Sequence, residues 1–196
     1  MEKKKLLLHS CCGPCSTAVI EKLLQDGIYD ITVFYFNPNI TEAEEYEHRK
    51  AEQKRVIAEL YPGLKFVEGN YDPREYFEVV HGYENDPEGG FRCSLCFTLR
   101  LEETARYARD HGYDCFDTTL SVSPYKSYDT ISAIARQLEF KYAVEYLAGN
   151  YKKKDGYKRS IELSKQLDLY RQHFCGCIFS KATSAALSKE LLSHNG

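Results

Sequence analysis

The sequence has no tryptophan, one methionine and six prolines among 196 residues, and it has no long hydrophobic run. The apolar run near the start, Leu6–Leu8, is three residues long. That is too short for the hydrophobic part of a signal peptide and far too short for a membrane span. We therefore expect a cytoplasmic protein without a membrane partner, in a compartment where thiols stay reduced.

The sequence also lacks a strong net charge, internal repeats, low-complexity segments and linkers rich in proline or glycine. A formal charge of -3 excludes a global basic field, so a nucleic-acid partner would need a local basic patch. Hydrophobic residues make up 43% of the chain, which is enough for a buried core. A length of 196 residues suits one compact domain, alone or with a small elaboration.

Alternating patterns of hydrophobic residues predict an α/β fold. The apolar segments expected to be strands are Lys4–His9, Ile31–Phe36, Leu64–Val67, Asp114–Leu120 and Ala143–Leu147. Helical periodicity fills the intervals, notably at Glu42–Leu60 and Asp129–Leu138, and continues alone after the last strand. This alternation predicts a Rossmann-like (HUP-like) parallel sheet flanked by helices, with a helical C-terminal extension. We assign residues 1–150 to the α/β domain and residues 151–196 to the extension.

Cysteine is what the sequence has in abundance. Seven of the eight cysteines fall in three clusters: Cys11, Cys12 and Cys15; Cys93 and Cys96; Cys175 and Cys177. The eighth, Cys115, stands alone in a predicted strand and is interpreted as a small buried apolar residue. In a reducing compartment such clusters favour metal binding or redox catalysis over structural disulfides.

The predicted topology puts the first cluster where parallel sheets bind ligands, beyond the carboxyl ends of the strands. Cys11, Cys12 and Cys15 directly follow the first strand, and Asp117 lies near the end of the fourth. Cys175 and Cys177 flank a glycine in the C-terminal extension. We expect this extension to close the site.

Three kinds of cysteine site are considered for this pattern: a redox dithiol, a structural zinc site and an iron–sulfur cluster. The segment Cys12-Gly13-Pro14-Cys15 matches a thioredoxin-type dithiol, but Cys11 and two further clusters have no use in a simple dithiol exchanger. Structural zinc needs four thiolates, fewer than the seven present. Iron–sulfur clusters commonly use four cysteine thiolates, which leaves three for a second metal beside the cluster. Because Cys11 and Cys12 are adjacent, their side chains point apart and are able to face different metals.

Longer motifs resemble the cobalamin-independent epoxyqueuosine reductases over about residues 6–180. They are His9–Ser16 (HSCCGPCS), Phe36–Ile40 (FNPNI), Arg92–Ala105, Asp117–Ser127 (DTTLSVSPYKS) and Lys154–Ser180. The resemblance implies an oxidoreductase that reduces epoxyqueuosine to queuosine at the wobble position of tRNA. It also implies a 4Fe-4S cluster, with an adjacent mononuclear iron or zinc, held by the clustered cysteines. The expected partners are tRNA carrying epoxyqueuosine in its anticodon loop and an electron donor that the sequence does not identify.

Loss of an epoxide oxygen requires a Lewis acid or a proton donor to take its developing charge. Asp117, near the first cysteines, is the candidate catalytic acid or additional metal ligand. Its alternative role is to cap the backbone of Thr118 and Thr119. Further candidates for the proton donor are Tyr125, His9 and His173.

One basic tract, from Lys152 to Arg159, predicts contact with RNA phosphates. The residues assigned to RNA binding are Lys153, Lys158, Arg159, Lys165 and Arg171, with Arg100 and Lys126 from the family motifs. Tyr151, Tyr157 and Tyr170 interleave with the tract, as stacking of bases beside phosphate contacts requires. The alternative is an ordinary solvated surface, since 16 tyrosines make some interleaving expected.

Two other functions fit parts of the sequence. A tRNA sulfur-transfer enzyme with an iron–sulfur cluster would use the same fold, but it needs a Ser/Gly-rich pyrophosphate loop where this chain has Cys11 and Cys12. A zinc-stabilised RNA-binding module would use the cysteines without catalysis. Colour identifies the zinc module, because an iron–sulfur protein purified without oxygen is brown and a zinc protein is colourless.

Overall fold

The structure is a computed structural model that describes residues 2–153 and 155–184. At the centre of this part of the chain is a five-stranded sheet in the order β3-β2-β1-β4-β5, and every neighbouring pair is parallel. The strands are β1 Lys4–His9, β2 Tyr29–Tyr35, β3 Lys65–Glu68, β4 Cys115–Thr118 and β5 Glu145–Tyr146. The predicted Rossmann-like parallel sheet is confirmed.

Helices cover both faces of the sheet. Within the described ranges they are α1 Gly13–Asp26, α2 Ala43–Leu60, α3 Pro73–Val79, α4 Phe91–Asp110, α5 Tyr128–Tyr142 and α6 Gly156–Gln166, and residues 178–184 are also helical. The sequence patterns do not predict α3, which depends on its cap. The Asp72 side chain accepts a hydrogen bond from the Arg74 N–H, and Pro73 has the φ angle that a first helical turn needs. None of the described helices is long and apolar enough to cross a membrane.

The fourth strand is shorter than predicted. β4 ends at Thr118, and a 3-10 helix, Thr119–Val122, replaces the last residues of the predicted segment Asp114–Leu120. The reason is local, because the Thr118 hydroxyl accepts a hydrogen bond from the Leu120 N–H at 3.1 Å and so turns the chain. β5 also starts later than predicted, because Ala143 takes a left-handed conformation (φ 53°) at the end of α5.

The apolar core lies on both faces of the sheet. Leu6, Leu7 and Leu8 are fully buried, as expected for a central parallel strand that helices cover on both sides. Leu7 packs with Phe116 on one face, whereas Leu6 and Leu8 pack with Cys115 on the other. Cys115 is therefore a buried residue of the apolar core, which confirms its interpretation.

The strand order reverses between β1 and β4. β2 and β3 lie on one side of β1, whereas β4 and β5 lie on the other. The connections that leave β1 and β4 therefore turn to opposite faces and open a crevice at the carboxyl ends of the two strands. Because Leu8 pairs with Asp117 and His9 pairs with Thr118, the residues that follow both strands meet at this edge.

The C-terminal part of the chain packs against the α/β body. α6 lies along α1, where Arg159 forms an ion pair with Glu21 at 2.7 Å. The segment after α6 then returns to the body, and the Thr41 N–H donates to the Gly176 carbonyl at 3.3 Å. The division into residues 1–150 and 151–196 stays a prediction, and Lys154 and residues 185–196 lie outside the described chain.

Candidate metal centre

One short stretch of chain forms the cysteine triad, by which we mean Cys11, Cys12 and Cys15. Cys11 and Cys12 follow β1, and Cys15 lies in the first turn of α1. The three Sγ atoms lie within 4.8 Å of one another, and those of Cys11 and Cys12 are 3.8 Å apart. The side chains of Cys11 and Cys12 therefore converge, and the expectation that they point apart is wrong. The N-terminus of α1 adds partial positive charge there, which favours thiolates over thiols.

Distant parts of the chain form the assembled group, by which we mean Cys93, Cys96, Cys175 and Cys177. Cys93 and Cys96 lie one turn apart on α4 and share a side of the helix. Cys175 and Cys177 lie beyond α6, with Sγ atoms 3.7 Å apart. Gly176 between them has a φ of +114°, and a side chain there would come within 2.8 Å of an isoleucine side chain. Glycine is therefore required for this loop to lie so close to the α/β body.

Two adjoining cavities contain these cysteines in their walls. The cysteines of the larger cavity, of about 560 Å³, are Cys11, Cys15 and Cys175. Those of the smaller cavity, of about 150 Å³, are Cys93, Cys96, Cys175 and Cys177. Cys175 belongs to both cavities, and Cys12 lies directly beside Cys11. The structure thus gathers the seven cysteines of the predicted site and leaves Cys115 in the core.

Positive charge dominates the walls of both cavities. Arg100 and Lys126 line both, and Arg49 and Arg171 line the larger one. Glu88 is the one carboxylate residue among the described lining residues. An excess of cations in a partly enclosed pocket stabilises thiolates and attracts a polyanion.

Two thiols, one in the triad and one in the assembled group, have environments that favour ionisation. Hydrogen bonds from its two neighbours in the triad hold the pKa of Cys11 well below its usual value, and the charge of Lys126 adds to this. A hydrogen bond from Cys177, together with the same ammonium, lowers the pKa of Cys175. Their partners keep their protons, since the hydrogen bond to Cys11 is the main cause that raises the pKa of Cys12 to about 11. Because the thiolate is the form that ligates metals, metal binding here would release protons.

N–H groups from outside the cysteine clusters also point at the sulfur atoms. The Gln172 amide Nε2 lies 3.0 Å from the Sγ of Cys12, and the Gly89 backbone N–H lies 3.3 Å from the Sγ of Cys93. Groups of this kind orient metal ligands and tune their basicity. The contact of Gln172 joins segments 160 residues apart, so sequence patterns do not identify it, whereas the contact of Gly89 is local, four residues before Cys93.

Arg49 of α2 is a site residue that sequence reasoning missed. Its side chain is 2% exposed, forms an ion pair with Glu45 at 2.6 Å and donates to the carbonyls of Phe174 and Cys175, each at 3.2 Å. The Phe174 ring also lies 5.1 Å from the guanidinium carbon. These contacts hold the Cys175 loop against α2. A signal was present, since Arg49 falls in the buried stripe of α2, where a charged residue needs partners.

Asp117 is fully buried and is not among the residues that line the two cavities. Its buried carboxylate accepts hydrogen bonds from the Tyr151 hydroxyl at 2.6 Å, the Thr118 N–H at 2.8 Å and the Gly149 N–H at 3.2 Å. Burial raises the pKa of Asp117 to about 7, against the opposing effect of these hydrogen bonds. The alternative role, a cap on the Thr118 N–H, is therefore observed, and the catalytic role stays a prediction.

The other predicted proton donors differ in whether they line the larger cavity. Tyr125 and His173 line the larger cavity, whereas His9 is fully buried away from it. The Nε2 of His9 lies 3.1 Å from the Phe36 carbonyl, and its Nδ1 lies 2.9 Å from the Thr118 hydroxyl. A carbonyl only accepts, so Nε2 carries the proton and Nδ1 is the acceptor. Burial lowers the pKa of His9 to about 4, so the ring is neutral near pH 7.

The residues predicted to contact RNA form separate sets. Those that line the larger cavity are Arg100, Lys126 and Arg171. Those exposed on and around α6 are Lys153, Lys158 and Lys165. Arg159 differs from both sets, because Glu21 and Glu162 already pair with its guanidinium at 2.7 and 3.2 Å.

The tyrosines of the basic tract do not form a common stacking surface. Tyr151 is 5% exposed and bonded to Asp117, so the prediction that its ring stacks on RNA bases is wrong. Tyr170 stacks on His48 with ring centroids 4.2 Å apart, and Tyr157 lines the larger cavity. A pattern of alternating basic and aromatic residues could not reveal that the fold turns these rings in different directions.

The fold and the site together define a Rossmann-like α/β protein with a cysteine-lined, cationic pocket at the carboxyl edge of its sheet. A family model described as epoxyqueuosine reductase QueH matches residues 6–183. The chain belongs to this family, whose members are named epoxyqueuosine reductases, and it is therefore an oxidoreductase.

Relatives of this name occur in several bacteria. The one from Streptococcus pyogenes is 38% identical over 182 residues, covering 91% of this chain and 71% of the relative. The one from Acinetobacter baylyi is 41% identical over 177 residues, covering 90% and 80%. The one from Thermotoga maritima is 35% identical over 176 residues, covering 89% of each chain.

Similar solved structures support the fold. The U34-tRNA thiolase NcsA from Methanococcus maripaludis, solved with its 4Fe-4S cluster, has a TM-score of 0.56 at 14% identity and covers 99% of this chain and 68% of its own. A predicted subunit of tRNA methyltransferase from Methanocaldococcus jannaschii has a TM-score of 0.52 at 15% identity and covers 82% and 74%. At these identities the likeness concerns the Rossmann-like fold alone.

Proposed function

We propose that this chain reduces epoxyqueuosine to queuosine at the wobble position of tRNA, and that the reaction takes place where the two cavities adjoin. One observation carries the proposal. In a chain of the epoxyqueuosine reductase QueH family, the triad and the assembled group surround this point. The proposed localisation is the cytoplasm, where tRNA is present and thiols stay reduced.

The chemistry and spacing of the cysteines fit a metal centre. Two sulfurs bound to one tetrahedral metal at about 2.3 Å lie about 3.8 Å apart. The Sγ atoms of Cys11 and Cys12 are 3.8 Å apart, and those of Cys175 and Cys177 are 3.7 Å apart. Seven thiols also exceed the four that one zinc ion or one cluster commonly uses. These cysteines would therefore hold a 4Fe-4S cluster with an adjacent mononuclear iron or zinc.

Conversion of an epoxide to an alkene consumes two electrons and two protons, and the oxygen leaves as water. A cluster held by these cysteines would supply the electrons, which an external electron donor would then replace. Arg100 and Lys126 carry positive charge into both cavities, so they stabilise the negative charge that develops on the departing oxygen. The buried wall around Arg100 also limits the access of water to this point.

The larger cavity suits one nucleoside taken out of an RNA loop. Its volume of about 560 Å³ lies in the range of pockets that enclose a small molecule. Bases of an anticodon loop are unpaired and can be splayed into such a pocket. Arg171 in the cavity wall would meet the phosphates on either side, together with two exposed lysines, Lys153 before α6 and Lys158 within it.

The direct test is single-turnover conversion of tRNA that contains epoxyqueuosine. Protein reconstituted anaerobically with iron and sulfide, then chemically reduced, should be brown and should form queuosine. Iron is counted in parallel, and protein holding zinc alone serves as the matched control. A colourless zinc-loaded protein that binds RNA and forms no queuosine when iron is supplied would support the RNA-binding module instead.

The RNA contacts have their own test. Changing Lys153 and Lys158 together to glutamine should lower the slope of log affinity against log salt by about 1.5, because each lost phosphate contact removes about 0.7–0.9. Arg159 is left intact, since it pairs with Glu21. The matched control changes Lys65 of β3 and Lys141 of α5, which pair with acidic residues of β2 and α4, and should leave the slope unchanged. An unchanged slope in the first variant would make the α6 lysines an ordinary solvated surface.

A further inference from the structure

Tyr125 both lines the site and is exposed to solvent. It lines both cavities, yet its side chain is 82% exposed. Tyr157, the other tyrosine in the wall of the larger cavity, is partly buried and packs against the apolar core. The ring of Tyr125 therefore stands at the mouth of the site with its faces in water.

The backbone around Tyr125 is held in place. The Tyr125 N–H donates to the Ser123 hydroxyl and the Lys126 N–H donates to the Ser123 carbonyl, each at 3.3 Å. The Lys152 ammonium donates to the Lys126 carbonyl at 2.8 Å, and Ser127 caps α5. Because this turn is already ordered, contact of a ligand with the ring needs little further loss of backbone freedom.

We propose that the Tyr125 ring is a stacking platform for a nucleobase of the anticodon loop, next to the nucleoside that enters the larger cavity. This inference rests on the proposed function. An exposed aromatic ring on a rigid turn beside a cationic pocket is what unpaired RNA bases stack on, and such stacking tolerates any base because every base has a π face. The neighbouring Lys126 lies on the cavity side of the turn and supplies charge for the same RNA segment.

The structure offers a matched control for this ring. Phe140 at the end of α5 is 92% exposed, and it lines neither cavity. Exposed aromatic residues are common on protein surfaces and need no ligand. If exposure alone made a ring bind RNA, Phe140 would contribute as much as Tyr125.

Binding of a fluorescently labelled anticodon stem-loop by the metal-loaded protein tests the platform. Tyr125→Ala should weaken binding about 10- to 100-fold, the range that loss of one base–aromatic stack gives. Tyr125→Phe should bind like the wild type, and so should Phe140→Ala. The same loss is expected with a stem-loop that lacks the epoxide, because the platform holds a neighbouring base.

A second pair of stem-loops identifies the stacked base. Each has an abasic site on one side of the wobble position, and one of them should bind the wild type as weakly as the intact loop binds Tyr125→Ala. For that loop the two changes should not add, because both remove the same contact. Equal binding by wild type and Tyr125→Ala overturns this inference and leaves the reductase proposal standing. A Tyr125→Phe variant that binds normally and turns over slowly would overturn the platform in favour of a hydroxyl role. A wild type that binds no anticodon stem-loop would overturn both proposals.

Discussion

The triad and the assembled group contain the same kind of side chain but are built in opposite ways. The triad comes from five consecutive residues, Cys11 to Cys15, at the junction of β1 and α1. The assembled group joins α4 to a loop some eighty residues later along the chain, and that loop depends on Gly176 and Arg49 to reach its place. A thiol cluster made by local geometry needs only one strand-to-helix junction, whereas the other needs the whole fold.

This difference predicts how the two sets respond to damage. A substitution that weakens the packing of the C-terminal segment should separate Cys175 and Cys177 from Cys93 and Cys96 and leave the triad intact. Anything that removes a sulfur should act on either set equally. Cys175 matters most in this comparison, because it lies in the walls of both cavities.

The largest effect should follow the loss of a single cysteine sulfur, from either the triad or the assembled group. Cys12→Ala and Cys96→Ala should each reduce iron binding by more than the roughly 10- to 100-fold that loss of an outer-shell partner causes, and should abolish turnover. Cys115→Ala is the control, because Cys115 is a core residue and its removal should lower stability by about 1 kcal/mol while iron stays. Iron per chain and visible absorption are measured after anaerobic reconstitution. Equal iron loss in the Cys115 variant would show that this cysteine is assigned to the wrong role.

The next largest effect should separate the two sets. Arg49→Met leaves the carboxylate of Glu45 without its buried partner and frees the Phe174 and Cys175 carbonyls, at a cost of about 3–5 kcal/mol in the free energy of unfolding. In the metal-free protein, a thiol reagent with mass-spectrometric mapping should then label Cys175 faster than in the wild type. Labelling of the triad should not change.

A matched control for Arg49 is available on α4. Arg106→Met removes an exposed arginine that pairs with Glu103 and Asp110, and it should cost less than about 1 kcal/mol. If Arg49→Met exposes the triad and the assembled group to the same extent, then the two sets form one cooperative unit and the contrast between them fails.

Asp117 joins the sheet to the start of the C-terminal segment through Tyr151, and its titration is measurable. Its pKa rises from an ordinary 3.8 to about 7, so its favourable contribution is complete below pH 3.8 and is lost as the pH rises to about 7. Across that window the free energy of unfolding should decline by up to ~4 kcal/mol, and Asp117→Asn should remove this decline. His9 has a lowered pKa and titrates with the opposite sign in both proteins, so it cancels in the difference.

The Asp117→Asn variant also distinguishes a structural role of Asp117 from a catalytic one. Because the carboxylate lines neither cavity, we expect single-turnover rates within about tenfold of the wild type. A rate loss of about 100-fold or more with full iron content would instead identify Asp117 as the catalytic acid.

The smallest effect should come from the hydrogen bond that links the C-terminal segment to the triad. Gln172→Ala removes the amide that lies 3.0 Å from the sulfur of Cys12 and should weaken metal binding about 10-fold. Gln166→Ala, at the exposed end of α6, is the control and should change nothing. Metal affinity is measured by competition with a chelator, and equal affinities in the two variants would remove Gln172 from the site.

Much of this molecule could be predicted from local patterns. The buried run of β1, the alternation of strands and helices, the three short cysteine motifs and the isolation of Cys115 in a strand all depend on residues close in sequence. The ends of elements depend on single contacts, as at Thr118, where one side-chain hydrogen bond turns the last residues of a predicted strand into a 3-10 helix. Strands, helices and short cysteine motifs form from interactions between residues close in sequence, so the pattern of neighbouring residues is enough to predict them.

Only the tertiary structure decided which side chains face the cavities. Sequence reasoning treated Arg159 and Arg171 alike, but the fold pairs Arg159 with Glu21 and puts Arg171 in a cavity wall. It also buried Asp117 against Tyr151 and brought Arg49 under the Cys175 loop. The sequence by itself determined the parallel sheet and the thiols available to the site. The direction in which each charged side chain points depends on contacts between segments far apart in the chain, which exist only once those segments have packed.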